Sequence, residues 1–513
     1  MDRQEQVVVV GAGIGGLACA IELARSGFPV TVVERADQAG GKLRQLDIGG
    51  CKVDAGPTVF TMRWVFEALF EAAGASLDRY LRLRPAELLA RHAWGPDETL
   101  DLHAEVSRSA DAIAAFAGPA EADGYRAFCA EARRIYDTLR DTFLTVQKPG
   151  PLALTRNVGL GRLNALLGIR PFETMWQALS GHFRDTRLRQ LFGRYATYCG
   201  SSPFDAPATL MLVAHVEQSG VWLVEGGMQQ LARALESLAS ALGVEFRYRT
   251  HVETICVNRG RVCGVTIADG ERLAARSVVV NGGAAAIASG AFGASVAGAT
   301  SASPRRRRSL SAVTWALKAR TTGFPLTRHN VFFSSDYAAE FKDIFGHGQL
   351  PREPTIYVCA QDRVDETACA ADAERLLILV NAPPCGDEHV FDPEELAECE
   401  TKVFDHLGRC GLRISPSAYP PVRTTPDQFN TLFPATGGAL YGSATQGWSA
   451  AFNRPGAGTR IPGLYLAGGG AHPGAGVPMA ALSGRLAAQR LMASRASTRR
   501  FHAAATPGGT STP

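Results

Sequence analysis

The period of the hydrophobic positions changes several times along the chain, and each change marks an element. Val7-Val8-Val9-Val10 is β-branched with no polar break, the pattern of a strand covered on both faces. From Leu17 to Ala24 the apolar positions fall near helical spacing and stop at Gly27. Val30-Thr31-Val32-Val33 returns to strand character and ends in Glu34. From Trp64 to Leu144 the spacing is helical throughout, with Phe66, Leu69 and Phe70 on one face, and a long amphipathic helix is predicted from Gly124 to Leu139. Val221–Val224, Val244–Tyr248, Val252–Ile255 and Ser277–Asn281 read as strands, and Gly226-Gly227-Met228 opens a helix carrying Leu231, Leu235 and Leu238. Asp269-Gly270 turns a hairpin after the strand at 261–266. A second set of strands is predicted at 313–317, 331–333, 355–360 and 376–381, with a helix over 393–407. A last strand, Leu464-Tyr465-Leu466, runs into Gly468-Gly469-Gly470, then His472–Met479, then a helix with Leu482, Leu486 and Leu491. The Ser/Thr/Ala/Gly-rich tail from about Ser494 is expected to be disordered.

The first strand–turn–helix carries the clearest chemistry. Gly11-x-Gly13-x-x-Gly16 lies between strand and helix, and Glu34 follows about 20 residues on, at the end of the next strand. In that context Gly11 makes the tight turn, Gly13 lets backbone approach a pyrophosphate, and Gly16 lets helix pack close on strand. The helix N-terminus adds free N–H groups for phosphate. The motif alone does not separate NAD from FAD. Gly40-Gly41-Lys42, after the second strand, joins bare backbone to a cation and suits a diphosphate.

Composition changes this picture little. The 513 residues are 46% hydrophobic and 20% charged with a net charge of +4, which gives no argument for nucleic acid. Eleven cysteines, without Cys-x-x-Cys or a clustered Cys/His set, predict a reduced compartment and no metal. No leader is expected ahead of the first strand, and no run of about eighteen strongly apolar residues suggests a membrane span. From Pro149 to Tyr198, leucines and aromatics alternate with Arg156, Arg162, Arg170, Arg184, Arg187, Arg189 and Arg194, a texture that fits an interfacial helix pair as well as a domain-packing surface. Arg305–Arg308 reads as a solvated helix start, with contact to membrane phosphates as the alternative.

The Gly11–Gly16 motif, Gly40-Gly41, Asp54-Ala55-Gly56-Pro57-Thr58, Gly226-Gly227-Met228, Tyr465–Gly468 and His472–Pro478 together resemble the bacterial carotenoid desaturases of the phytoene desaturase type. Val224–Gly227 and Pro354–Arg363 look most similar to the 1-hydroxycarotenoid 3,4-desaturases within that family. The resemblance implies an α/β fold in which a Rossmann-type FAD-binding domain, built from 1–75, 220–295 and 455–495, accompanies a mixed-sheet-plus-helix domain of 76–219 and 296–454 that binds substrate and membrane. It implies FAD as cofactor, an acyclic carotenoid as substrate, and a cytoplasmic protein peripheral on the inner membrane. Carried over by position, Gly11, Gly13, Gly15, Gly16 and Glu34 are expected to hold the ADP half. Gly40, Gly41 and Lys42 are expected at the diphosphate, Val252 beside the adenine, Thr58 near the isoalloxazine, and Gly468, Gly469, Gly476, Val477, Pro478 and Met479 over the ribityl chain. Lys42 stands where an arginine is usual, Glu225 where a basic residue is common, and Arg156-Asn157 where the relatives often carry Arg-Asp.

Hydride transfer to flavin N5 is the implied chemistry, with a polyene able to delocalise the charge and no protein base identified. A tertiary alcohol on the substrate needs a polar partner, and Gln361, Asp362 and Arg363 are the candidates, with a strand-end salt bridge as their competing role. The alternatives are a phytoene desaturase or carotenoid isomerase, a non-catalytic prenyl-lipid carrier on the same fold, and an amine oxidase.

Overall fold

The computed structural model describes residues 6–150, 168–301, 304–364, 373–447 and 449–502. Strand β1 (Val7–Val10) is wholly buried and pairs in parallel with β2 (Val30–Val33) on one side and with Ser277–Val280 on the other. Glu245–Arg247 extends this parallel sheet beyond β2, and Leu464–Leu466 extends it beyond Ser277–Val280. Helix α1 (Ile14–Ala24) is buried along nearly its whole length, because the helices Gln229–Ala241 and Val477–His502 cover the side facing away from the sheet. A three-stranded antiparallel sheet (Val252–Asn258, Arg261–Ile267, Arg272–Ala274) packs over the strand Ser277–Val280.

The second large sheet has eight strands. Its order is Leu412–Pro416, Ser311–Gly323, Glu374–Ala382, Ile356–Ala360, His329–Phe332, Leu88–Ala93 and Thr99–His103, with Val422–Thr424 also paired to Ser311–Gly323. Every pair is antiparallel except His329–Phe332 with Leu88–Ala93. Trp315 is fully buried at the centre of this sheet and donates to Glu400 Oε2 at 2.9 Å from the covering helix Pro393–Arg409. That helix begins with a capping box, Asp392 with Glu395, and Pro393 at its first turn.

Three local expectations change. The helical stretch predicted from Trp64 to Leu144 is interrupted by strands Leu83–Pro85, Leu88–Ala93 and Thr99–His103, and its helices are Arg63–Ala72, Val106–Ala117 and Pro119–Leu139. Leu88-Leu89-Ala90-Arg91-His92-Ala93 has helix-compatible residues; sheet pairing and the bidentate Arg91–Asp101 contact make it a strand. The C-terminal helix runs on to His502 instead of ending near Ser494, since Ser494 bonds the Tyr465 hydroxyl and Arg495 reaches Ser277 Oγ at 3.2 Å and lies over the Phe28 ring. Arg305–Arg307 form a single 3-10 turn, with Arg308 held by both oxygens of Asp387.

The residues expected to form an interfacial helix pair lie, from 151 to 167, outside the described residues. In the remainder Met175, Leu179 and Phe183 are buried, and Arg170 and Arg187 are ion-paired to Glu131, Glu173, Asp185 and Glu98.

The two ends of the chain meet backbone to backbone. A Cβ on Gly484 would lie 2.1 Å from Gly15 O, which no side chain tolerates. Gly484→Val should therefore lower stability by about 2 kcal/mol or more. The measurement is the thermal midpoint, with Ala493→Val on the exposed side of the same helix as the control for helix propensity.

Candidate active site

The site is built at the carboxyl ends of β1, β2 and Ser277–Val280. Gly11 turns the chain with φ +100° and donates to Val33 O at 2.8 Å. A Cβ on Gly16 would stand 2.1 Å from Gly11 O, so α1 can start this close to the strand only without a side chain there. Glu34 fixes the loop from the neighbouring strand: its carboxylate accepts from Ala12 N at 2.7 Å and Ala36 N at 2.9 Å. Asn281 fills the space beneath the glycines. With its amide oxygen turned to the loop it accepts from Gly13 N at 3.2 Å and Gly16 N at 3.3 Å.

From the other end of the chain, Gly468 comes so close that a Cβ on Gly15 would lie 2.6 Å from its Cα. Arg454 ties the C-terminal loop down: it is buried and donates to Tyr441 O and Gly469 O at 3.0 Å and to Ser443 O at 2.7 Å. Lys42 donates to Leu440 O and sits 5.2 Å from the Phe433 ring centroid. Burial, reinforced by the Arg454 charge, pushes the Lys42 ammonium down to about 8. Arg44 Nε is buried without a partner.

These groups open into one cavity of about 1470 Å³. Gly11, Gly13, Gly15, Glu34, Gly41, Lys42, Thr58, Val252, Gly468, Gly469, Gly476, Val477, Pro478 and Met479 all line it, whereas Gly16 packs against the strand instead. The volume exceeds the range of about 300–1,000 Å³ usual for one small-molecule site. The lining also includes the apolar Leu139, Phe143, Leu144, Leu210, Val213, Val216, Leu377 and Leu379.

Gln361, Asp362 and Arg363 do not line this cavity, which corrects their candidacy for a substrate hydroxyl. Gln361 is buried and bridges the backbone of Asp54, Nε2 to O at 2.8 Å and Oε1 from N at 2.9 Å. Asp362 pairs with Arg375 at 2.6 Å, and Arg363 with Glu374 at 2.8 Å. The antiparallel register of Ile356–Ala360 with Glu374–Ala382 brings these ion pairs together at the strand end.

The cavity instead carries a polar group that sequence reasoning passed over: Arg194, Tyr198, Glu217 and Tyr357. The Tyr357 hydroxyl lies 2.7 Å from both Thr58 Oγ1 and His329 Nδ1. Burial lowers His329 to about 3, so its ring is neutral. Tyr195 donates to Glu217 at 2.5 Å, and burial raises the Glu217 carboxyl above the usual range. Asn281 and Arg454 were also passed over. Asn281 had a usable signal, the first polar residue at the carboxyl end of a buried parallel strand; Arg454 had none.

The family model described as flavin containing amine oxidoreductase matches residues 14–492. This chain is a member of that family. A hydroxyneurosporene desaturase of Rubrivivax gelatinosus is 53% identical over 511 residues, 99% of this chain and 97% of the relative. Another, of Cereibacter sphaeroides, is 45% identical over 96% of this chain and 99% of the relative. A 4,4'-diapolycopene oxygenase of a Methylomonas species is 30% identical over 95% and 98%. Among solved structures, an oxidoreductase from Methanosarcina mazei matches with TM-score 0.57 at 16% identity, covering 95% of this chain and 100% of that one. Putrescine oxidase bound to putrescine matches with TM-score 0.56 at 16% identity, over 96% and 99%. These two share the fold.

As a flavin amine oxidoreductase the chain is an FAD-dependent enzyme, and its residues fit that cofactor. The Cβ-free cradle at Gly11, Gly13 and Gly15 lets a pyrophosphate approach the main chain, the Glu34 oxygens keep lone pairs for ribose hydroxyls, and Lys42 with the orphaned Arg44 Nε offers charge to a diphosphate. An anionic ligand favours the charged ammonium. FAD affinity should therefore be greatest below pH 8 and decline as Lys42 loses its proton above it. Lys42→Arg, charged throughout, should flatten the dependence. Equilibrium titration of the apoprotein with FAD from pH 7 to 9.5 checks both.

Proposed function

We propose that this flavoenzyme is a carotenoid desaturase that introduces the C-3,4 double bond into acyclic carotenoids bearing a C-1 hydroxyl or methoxyl group. The observation that carries the reading is the continuity of a single cavity, from the glycine-lined groove at Gly11–Gly16 to the apolar wall formed by Leu139, Phe143, Val213 and Val216. A site for a charged dinucleotide and a site for a hydrocarbon thus share one space. The names of the relatives, 53% and 45% identical over nearly the whole chain, support the substrate class.

Bound FAD supplies the hydride acceptor. The protein's own contribution is positional. The glycines and Glu34 hold the ADP half, and Gly468, Gly469 and the Gly476–Met479 turn, tied down by Arg454, close over the remainder. Leucine, valine and phenylalanine side chains exclude water from the hydrocarbon and align an allylic C–H, where near-attack geometry supplies much of the rate. Thr58 is held by its hydrogen bond to Tyr357, in the cavity that both residues line. A substrate dissolved in a bilayer reaches the cavity from a membrane surface, and Phe172, 75% exposed beside the Leu/Arg-rich stretch, is suited to peripheral docking there.

The test uses the FAD-loaded protein and lipid vesicles carrying a 1-hydroxylated acyclic carotenoid. The expected product has lost two hydrogens at C-3 and C-4 and absorbs at longer wavelength by one added conjugated double bond. Conversion of phytoene with the hydroxylated carotenoid left untouched would overturn the reading in favour of the sibling activity.

A further inference from the structure

Resting on the desaturase reading, the inference concerns which residues recognise the oxygen on the substrate. Arg194 opens the 3-10 turn Arg194–Cys199 and is enclosed by protein, yet it keeps accessible surface, which faces the cavity. Its guanidinium carbon lies 5.4 Å from the ring centroids of both Tyr198 and Tyr357. Its one side-chain hydrogen bond is Nη1 to Tyr198 Oη at 3.0 Å, and among the described residues no carboxylate comes within ion-pair distance of it. Arginine carries five N–H donors. A buried cation with most of its donors unused by the protein needs cavity water or a ligand to satisfy them, because burying it with neither is costly.

Glu217 lines the same stretch of cavity. Tyr195 donates to one of its oxygens and the Tyr198 hydroxyl also bonds the carboxylate, yet two carboxylate oxygens can accept about four donors in all, so capacity for a further one remains. Apart from Glu34, no other carboxylate lines the cavity among the described residues. The location is also right. In a C-3,4 desaturation the carbon bearing the hydroxyl is two bonds from the carbon oxidised, so its partners must sit at the reacting end of the hydrocarbon. Arg194 lies over the Tyr357 ring, Tyr357 bonds Thr58, and Thr58 is the position that the family resemblance sets near the isoalloxazine.

We propose that Arg194 and Glu217 are the specificity pair for the substrate's C-1 oxygen: the guanidinium donates a hydrogen bond to it, and a Glu217 carboxyl oxygen accepts one from its hydroxyl. Tyr198 and Tyr357 act as positioning residues that hold the guanidinium plane between their rings. A hydroxyl satisfies both members of the pair. A methoxyl oxygen satisfies Arg194 alone, and a hydrocarbon end satisfies neither.

The experiment measures kcat/KM of the holoenzyme on a 1-hydroxylated acyclic carotenoid, on its 1-methoxy ether and on the counterpart without oxygen, all delivered in the same vesicles. For wild type the order should be hydroxyl, then methoxyl, then hydrocarbon. Arg194→Leu should cost the hydroxylated substrate on the order of 100-fold, since a polar site loses that much or more when a hydrogen-bonding partner is removed. The hydrocarbon should be used as well as before or better. Glu217→Gln should narrow the gap between hydroxyl and methoxyl, mainly through KM. Bound flavin absorbance in each variant reports folding, and Arg194→Lys, which keeps a donor and the charge, should retain part of the preference. Equal loss on all three substrates in Arg194→Leu and Arg194→Lys, with flavin retained, overturns the specificity pair. Failure of wild type to form the C-3,4 product from any of them overturns the desaturase reading instead.

Discussion

The structure depends on a close approach of main chain to main chain that excludes every side chain. A Cβ on Gly15 would meet Gly468 at 2.6 Å, one on Gly484 would meet Gly15 O at 2.1 Å, and one on Gly16 would meet Gly11 O at 2.1 Å. Helices that meet through side chains keep their axes about 8–10 Å apart. Removing the side chains lets the N-terminal loop and the segment after residue 464 form one continuous surface of backbone amides. That surface is what a flavin dinucleotide requires, and the apolar part of the cavity is useful only if it opens onto it. Asn281 secures the arrangement from below, replacing a solvent contact the loop amides would otherwise need.

Much of this was legible because the local signals agree with the tertiary outcome. β1 is four valines flanked by a glycine turn, a pattern with few alternatives, and its β-branched residues pack equally well on both faces of a parallel sheet. Four strands of the second sheet, predicted at 313–317, 331–333, 355–360 and 376–381, were legible for the same reason, although Ser311–Gly323 runs well past the C-terminal end of the stretch predicted for it. Leu88–Ala93 was not legible. Its leucines and alanines favour a helix, and pairing decides otherwise: with Thr99–His103 on one side, and on the other with Asn330–Phe332, more than two hundred residues away.

The candidate site divides along a similar line. Backbone-built parts leave glycine signatures, so the dinucleotide cradle could be read directly. Side-chain-built parts leave none. Gln361–Arg363 were expected in the site on the strength of their polarity at a strand end, and the register that commits them to Asp54, Arg375 and Glu374 is invisible in a linear chain. Arg194 failed in the opposite direction. It belonged by spacing to a basic surface stripe, but helix Thr186–Gly193 tightens to a 3-10 turn at that residue. There it lines the cavity, between the rings of Tyr198 and Tyr357, a placement set by tertiary packing that spacing in the chain does not reveal.

On the proposed reading, a cation with no carboxylate in ion-pair distance among the described residues, facing the cavity, makes sense once discrimination is counted against the wrong ligand. In the free protein, water can enter beside Arg194 and solvate it. A hydrocarbon end that displaces this water returns no hydrogen bond, so its burial energy is offset by the desolvated charge. An oxygen at the same place restores the bond and removes the penalty. The apolar wall binds both polyenes alike and cannot tell them apart, because their shapes differ by only an atom or two. Selectivity therefore comes from the cost the site imposes on the ligand lacking oxygen, more than from extra attraction for the ligand that has it. Placing that cost at the reacting end, beside Thr58 and Tyr357, makes it bear on the pose in which the C–H bond is broken. A partner at the far end of the chain would leave a long polyene free to slide.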